Sequence, residues 1–99
     1  MNEIQKYISK NESKMLEDLF SLIRIPSISA KPEHHDDMLA CAERWAQLLI
    51  EAGADEALVM PSKGNPIVFG QKTVDPTAKT VLIYAHYDVM PAEPLELWK

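Results

Sequence analysis

The stretch TVLIYAHYDVMPAEPLELWK, residues 80–99, carries an apolar run into a histidine and an aspartate. Its first part, Val81 to Ala85, is continuously apolar, which is typical of a strand covered on both faces. Side chains at i and i+2 of a strand share a face, so His86 and Asp88 are predicted to stand side by side. A carboxylate beside an imidazole accepts a hydrogen bond from one ring nitrogen and leaves the other free to bind a metal. A purely structural hydrogen bond at a strand end is equally compatible with this spacing, so both interpretations stay open at this point.

Two helices are predicted upstream of this strand. The first covers residues 3–24, where apolar residues recur at i, i+3 and i+4, and it ends before Pro26. The second runs from about residue 37 to residue 52, behind an acidic first turn, and Gly53 supplies its stop. Residues 26–35 are predicted to form the loop between them because prolines and serines are concentrated there.

The pattern then changes to that of strands. EALVMP, residues 56–61, and PIVFGQKT, residues 66–73, flank a short turn and predict a hairpin. The apolar run at residues 80–85 is a third strand. The order helix, helix, strand, strand, strand predicts an α/β fold, in which two N-terminal helices pack on a three-stranded portion of a mixed sheet.

Composition excludes several classes of function. The chain has 99 residues, of which 46% are hydrophobic and 25% charged, as expected for one small soluble domain. Its formal net charge of −5 and its scattered basic residues argue against nucleic-acid binding. No apolar run approaches the roughly 20 residues that cross a bilayer, and the N-terminus does not have the pattern of a signal peptide. Cys41 is the single cysteine, so no intrachain disulfide forms, and a cytoplasmic setting is expected.

Three stretches resemble one family of enzymes. LIYAHYDVMP, residues 82–91, is similar to the signature of the aminoacylase and carboxypeptidase family of two-zinc hydrolases, metallopeptidase family twenty. In that signature an apolar strand is followed by His-x-Asp, then Val or Thr, one further residue and Pro. LEDLFSLIRIPSISA, residues 16–30, resembles the opening helix of the family and its IRIPS turn. VMPAEPLELWK, residues 89–99, resembles the dipeptidase branch, and together the three stretches extend the resemblance over essentially the whole chain.

The resemblance assigns roles to two residues. It implies that His86 is a ligand of one of two Zn2+ ions. It counts Asp88 among the catalytic residues as the carboxylate that orients this histidine, without a bond to the metal. The other functional residues of the family have no counterpart in these 99 residues. Because a catalytic zinc site takes about three protein ligands, we expect the chain to be inactive alone and to bind no zinc stably.

The resulting hypothesis is that residues 1–99 are the N-terminal part of a catalytic α/β domain, incomplete at its C-terminal end. The intact protein would be a zinc-dependent dipeptidase or amidohydrolase that cleaves the peptide bond of a dipeptide or the amide bond of an N-acyl amino acid. The alternative is a small, self-contained α/β binding or interaction module, with His86 and Asp88 as a structural pair. An uncovered edge of the third strand also predicts self-association of the isolated chain.

Two further clusters of polar residues are interpreted without a catalytic role. PEHHDD, residues 32–37, is predicted to be an exposed loop that leads into the second helix, because adjacent histidines point in different directions. Glu93 and Glu96 flank a proline-containing loop, and the spacing does not bring their carboxylates together as an acid and base pair.

Overall fold

The computed structural model describes residues 2–98 and has two helices and one two-stranded sheet in this part of the chain. The elements are α1 (Glu3–Ile23), α2 (His35–Glu51), β1 (Glu56–Met60) and β2 (Ile67–Gln71). Short 3-10 turns lie at Pro32–His34 and Leu95–Leu97. Both predicted helices and the predicted hairpin are therefore present, with ends that differ by at most two residues from the prediction. Within residues 2–98, no helix combines the length and apolar character that a membrane crossing requires.

Helix α1 begins at a reciprocal pair of hydrogen bonds. The Asn2 side chain accepts from the backbone N–H of Gln5 at 2.8 Å, and the Gln5 side chain accepts from the Asn2 N–H at 3.0 Å. This arrangement satisfies two N–H groups that the first helical turn leaves without a partner. The predicted apolar face forms, but none of its residues is buried: Leu19 is 48% exposed and Phe20 42%. One side of α1 is thus open.

Helix α2 carries the core. Its residues Met38, Cys41 and Ala42 are at most 2% exposed, and the buried polar residue Ser27 joins them from the loop after α1. The helix starts at His35, earlier than predicted, because the turn Pro32–His34 runs directly into it. This small core lies beneath the segment that contains His86 and Asp88.

The hairpin packs against α2 through a close contact at Gly70. Strands β1 and β2 are antiparallel, from Glu56 opposite Gln71 to Met60 opposite Ile67. A Cβ atom placed on Gly70 would lie 2.9 Å from Cδ1 of Leu49, a residue of α2. Such a distance is shorter than normal van der Waals contact, so a side chain at position 70 would require the Leu49 side chain to move.

We expect Gly70→Val to lower the free energy of unfolding by about 1–3 kcal/mol, since a branched side chain overpacks the contact with Leu49. The matched variant is Gly64→Val, because a Cβ at Gly64 meets no atom within 4 Å. It should stay within about 0.5 kcal/mol of the parent protein. Chemical denaturation measures both, and equal midpoints for the two variants would show that the helix–hairpin contact is not tight.

The predicted three-stranded sheet is not confirmed. Residues 80–88 form no strand, and within residues 2–98 the sheet contains β1 and β2 alone. The side chains from Val81 to Tyr84 are 80–91% exposed. The apolar run has the composition of a covered strand, but a strand needs hydrogen-bonded neighbours, and no described residue pairs with it. Its one described pairing comes later, as an isolated parallel bridge between Ile28 and Val89.

Candidate metal centre

Two backbone segments meet beneath the candidate site. The N–H of Val89 donates to the carbonyl oxygen of Ser27 at 2.9 Å. The Ser27 hydroxyl donates to the carbonyl oxygen of Tyr87 at 3.0 Å. Ser27 is 1% exposed, so water does not compete for these bonds. The loop after α1 therefore holds residues 87–89 in place.

Tyr87 anchors the same segment on the opposite side. Its hydroxyl donates to the carbonyl oxygen of Pro66 at 2.6 Å, next to the start of β2. Burial raises the pKa of Tyr87, and it also raises the pKa of Cys41, whose Sγ lies 3.9 Å from the Tyr87 carbonyl oxygen. Both groups are thus held in their neutral, protonated forms. The Tyr87 hydroxyl thus contacts the start of the hairpin, whereas the side chains of His86 and Asp88 contact each other.

His86 and Asp88 form the predicted contact. Nδ1 of His86 lies 2.9 Å from Oδ1 of Asp88 and 3.3 Å from the Asp88 carbonyl oxygen. Both of these oxygens are acceptors, so Nδ1 carries the proton and donates it. The neutral ring therefore has its lone pair on Nε2, and the His86 side chain is 79% exposed. Nε2 makes no hydrogen bond to the residues that the structure describes.

The second oxygen of Asp88 also has a partner. The Ser29 hydroxyl donates to Oδ2 of Asp88 at 2.5 Å. This bond, with a smaller contribution from His86, holds the pKa of Asp88 below its usual range. Asp88 is consequently ionised at neutral pH, with one oxygen for the serine and one for the histidine.

The donor chemistry of this site fits one position of a metal centre. An imidazole with a free, exposed Nε2 and a carboxylate on Nδ1 is the usual form of a metal-binding histidine. Within residues 2–98, no group of three or more His, Cys, Asp or Glu side chains is arranged to hold a metal ion. The described residues thus supply one candidate ligand and its orienting partner, and a catalytic zinc site needs about two more.

The other polar clusters are engaged in local contacts. Nδ1 of His34 lies 2.8 Å from Oδ2 of Asp37, which ties the turn before α2 to its first turn. Glu93 forms an ion pair with Lys31, and this contact raises the pKa of Lys31. Glu96 lies in the turn Leu95–Leu97. None of these groups belongs to a metal-binding cluster among the described residues.

Sequence reasoning did not identify the roles of Ser27 and Ser29. The sequence predicts only a loop at these two positions, whereas the structure pairs them with Tyr87 and Asp88, 60 and 59 positions away. Serines at i and i+2 are common in loops, and nothing local indicates which distant segment they contact. The only available signal was the resemblance of the surrounding IRIPS turn to the family.

Comparisons with known proteins point to one group of enzymes. No family model matches the chain. The cysteinylglycine-S-conjugate dipeptidase of Corynebacterium striatum is 30% identical over 91 residues, which are 92% of this chain and 20% of the relative. The Cys-Gly metallodipeptidase dug1 of Schizosaccharomyces pombe is 28% identical over 111 residues, 99% of this chain and 22% of the relative. For DUG1 of Candida albicans the identity is 32% over 108 residues, 93% of this chain and 21% of the relative.

A solved structure agrees in fold. The di-peptidase Dug1p of Saccharomyces cerevisiae superposes with a TM-score of 0.82 and 24% identity, over 94% of this chain and 22% of that one. The chain therefore spans about a fifth of the length of the proteins that it matches. Over nearly its whole length, the chain is therefore similar in sequence to part of the Cys-Gly metallodipeptidases, in agreement with the resemblance to the dipeptidase branch.

Proposed function

We propose that this chain is part of the catalytic α/β domain of a zinc-dependent dipeptidase. In the proposed enzyme His86 is a ligand of one of two Zn2+ ions, and Asp88 orients it. The observation that carries the proposal is the hydrogen bond from Nδ1 of His86 to Asp88, which leaves Nε2 exposed, in a chain similar to metallodipeptidases. The remaining ligands and the general base belong to other parts of the enzyme.

In the proposed reaction, the residues of this chain orient one metal ligand, His86, before the metal binds. Zinc, when bound, acts as a Lewis acid that polarises the carbonyl group of the substrate. In the neutral imidazole, the Asp88 carboxylate keeps the proton on Nδ1, so the lone pair lies on Nε2. The bonds from Ser27 and Tyr87 hold the backbone between the two residues, so the ligand does not have to be ordered when metal binds.

The proposed substrate is a dipeptide. Support comes from the relatives, which are named for cysteinylglycine conjugates and for Cys-Gly. N-acyl amino acids are the second substrate class that the sequence resemblance implies. Cys-Gly is therefore the first compound to assay, beside a dipeptide without cysteine and an N-acetyl amino acid.

An assay of the intact enzyme tests this function. We expect hydrolysis of at least one dipeptide, loss of this activity on treatment with a chelator, and its return with Zn2+ but not with Mg2+. Hydrolysis that survives complete removal of metal would contradict the proposal, as would a zinc-loaded enzyme that cleaves none of the three compounds. The isolated 99-residue chain is expected to be inactive, because one histidine does not hold a catalytic metal.

We also propose that Val81 to Ala85 becomes a third strand when other parts of the domain cover it. Its exposed apolar side chains support this, since a patch of this kind normally marks an interaction surface.

The exposure of the apolar side chains from Val81 to Tyr84 also predicts that the isolated chain self-associates, which light scattering at increasing concentration measures. Leu82→Lys should reduce the apparent mass, whereas Val74→Lys, also at an exposed residue but in a turn, should not. A monodisperse monomer at high concentration would contradict this prediction.

The proposed enzyme acts in the cytoplasm and requires neither nucleic acid nor membrane. The free, buried Cys41 and the absence of any intrachain disulfide support a reducing compartment. The net charge of −5 supports the exclusion of nucleic acid as a partner.

A further inference from the structure

Ser29 completes a chain of hydrogen bonds that begins at the imidazole. Nδ1 of His86 donates to Oδ1 of Asp88 at 2.9 Å, and the Ser29 hydroxyl donates to Oδ2 at 2.5 Å. We infer that Ser29 is a positioning residue of the metal centre: by holding Oδ2 it fixes the plane of the Asp88 carboxylate, and thereby the direction of Nε2 of His86. This inference rests on the proposed function, because it takes His86 to be a ligand.

The Asp88 carboxylate needs a second partner to be oriented. Its terminal torsion is broad and roughly two-fold, so one hydrogen bond does not define the plane of the group. The Asp88 side chain is 40% exposed and that of His86 79%, so water competes with the bond between them. A second, charge-assisted hydrogen bond to the other oxygen removes the rotational freedom.

The position of Ser29 does not depend on its own side chain. The preceding residue, Ile28, forms the parallel bridge with Val89, the residue that follows Asp88. The Ile28 N–H also donates to the Pro26 carbonyl oxygen at 2.7 Å, which closes the turn. Backbone pairing therefore brings Ser29 beside Asp88, and Ser29→Ala should remove one hydrogen bond without displacing the loop.

Two roles for the Ser29 hydroxyl make different predictions. If it only joined the loop to residues 87–89, its loss would lower thermal stability and leave the imidazole as it is. If it positions Asp88, its loss changes the proton distribution of the His86 ring and the affinity for zinc. Metal affinity and the tautomer of His86 therefore separate the two roles.

The test uses the intact protein with three variants: Ser29→Ala, Ser29→Thr and the control Ser62→Ala. Ser62 lies in the exposed turn between β1 and β2, where its hydroxyl donates to the Asn65 carbonyl oxygen at 2.7 Å. Competition with a chelating indicator measures the Kd for zinc. Long-range 1H–15N NMR of the metal-free protein, labelled on histidine, reports which ring nitrogen of His86 carries the proton.

We expect Ser29→Ala to weaken zinc binding by about 3- to 10-fold, less than the roughly 10- to 100-fold that follows loss of a direct partner of a ligand. The His86 ring should change from the Nδ1–H form to a mixture of tautomers. Ser29→Thr keeps a hydroxyl and should restore both readouts, and Ser62→Ala should match the parent protein. In an Asp88→Asn background Ser29→Ala should have no further effect, because Ser29 acts through Asp88.

An unchanged Kd together with an unchanged His86 tautomer in Ser29→Ala would overturn the inference, even if the melting temperature fell. If Ser29→Ala does not fold, Ser29→Cys replaces it, since it keeps the shape and weakens the donor, and no effect on either readout would again overturn the inference. Failure of the proposed function gives a different result from failure of the Ser29 inference. If His86 is not a metal ligand, His86→Ala itself leaves the zinc content unchanged. If His86→Ala loses zinc while Ser29→Ala does not, only the role of Ser29 is wrong.

Discussion

His86→Ala in the intact enzyme is expected to lower kcat/KM for a dipeptide by about 100-fold or more, and to lower the zinc content of the purified protein. The magnitude follows because losing even the outer partner of a metal ligand typically costs about 10- to 100-fold, and here the ligand itself is removed. In the neutral ring, the hydrogen bond from Nδ1 to Asp88 places the lone pair on Nε2, and the His86 side chain is exposed. Steady-state kinetics and elemental analysis of the same preparation measure the two effects.

The matched control for this variant is His35→Ala. His35 is also exposed, but it opens helix α2 and belongs to no metal-binding cluster among the described residues. It should keep the zinc content and the activity of the parent enzyme. If His86→Ala also kept both, His86 would not be a ligand, and its contact with Asp88 would be only a structural hydrogen bond.

The second large effect is expected for Asp88→Asn, which should weaken zinc binding by about 10- to 100-fold. An asparagine can turn its NH2 group toward Nδ1, which favours the tautomer with the proton on Nε2 and removes the free lone pair. The variant also loses the negative charge that the hydrogen bonds from Ser29 and His86 stabilise in the parent protein. A zinc titration of the metal-free enzyme measures the affinity.

This variant should differ from His86→Ala in one respect. Its ligand is still present, so much of the activity should return at saturating zinc, whereas His86→Ala should stay inactive. Asp75→Asn is the control, since Asp75 lies in an exposed turn, where it accepts hydrogen bonds from Thr77. A zinc affinity of Asp88→Asn equal to that of the control would show that the carboxylate does not orient the histidine.

The features that sequence predicted well are local. Helices α1 and α2 follow from apolar periodicity, the hairpin from two short apolar runs around a turn, and the contact of His86 with Asp88 from an i, i+2 spacing. Each depends on residues that are close in the chain. Physical rules for such segments need no knowledge of the rest of the molecule.

The features that sequence did not predict depend on distant partners. The run from Val81 to Ala85 has the composition of a covered strand, but pairing needs a neighbour that the described residues do not provide. The bonds of Ser27 and Ser29 cross about 60 positions, and no local pattern specifies them. Burial is also non-local: α1 has a clear apolar face, yet none of its residues is buried.

Anomalous diffraction from crystals of the intact, zinc-loaded protein would show directly whether His86 is a metal ligand oriented by Asp88. We predict a zinc peak at about 2.0–2.1 Å from Nε2 of His86, with Nδ1 still hydrogen-bonded to the Asp88 carboxylate. A zinc centre that does not include His86, or one bound through Nδ1 with Asp88 displaced, would contradict the account.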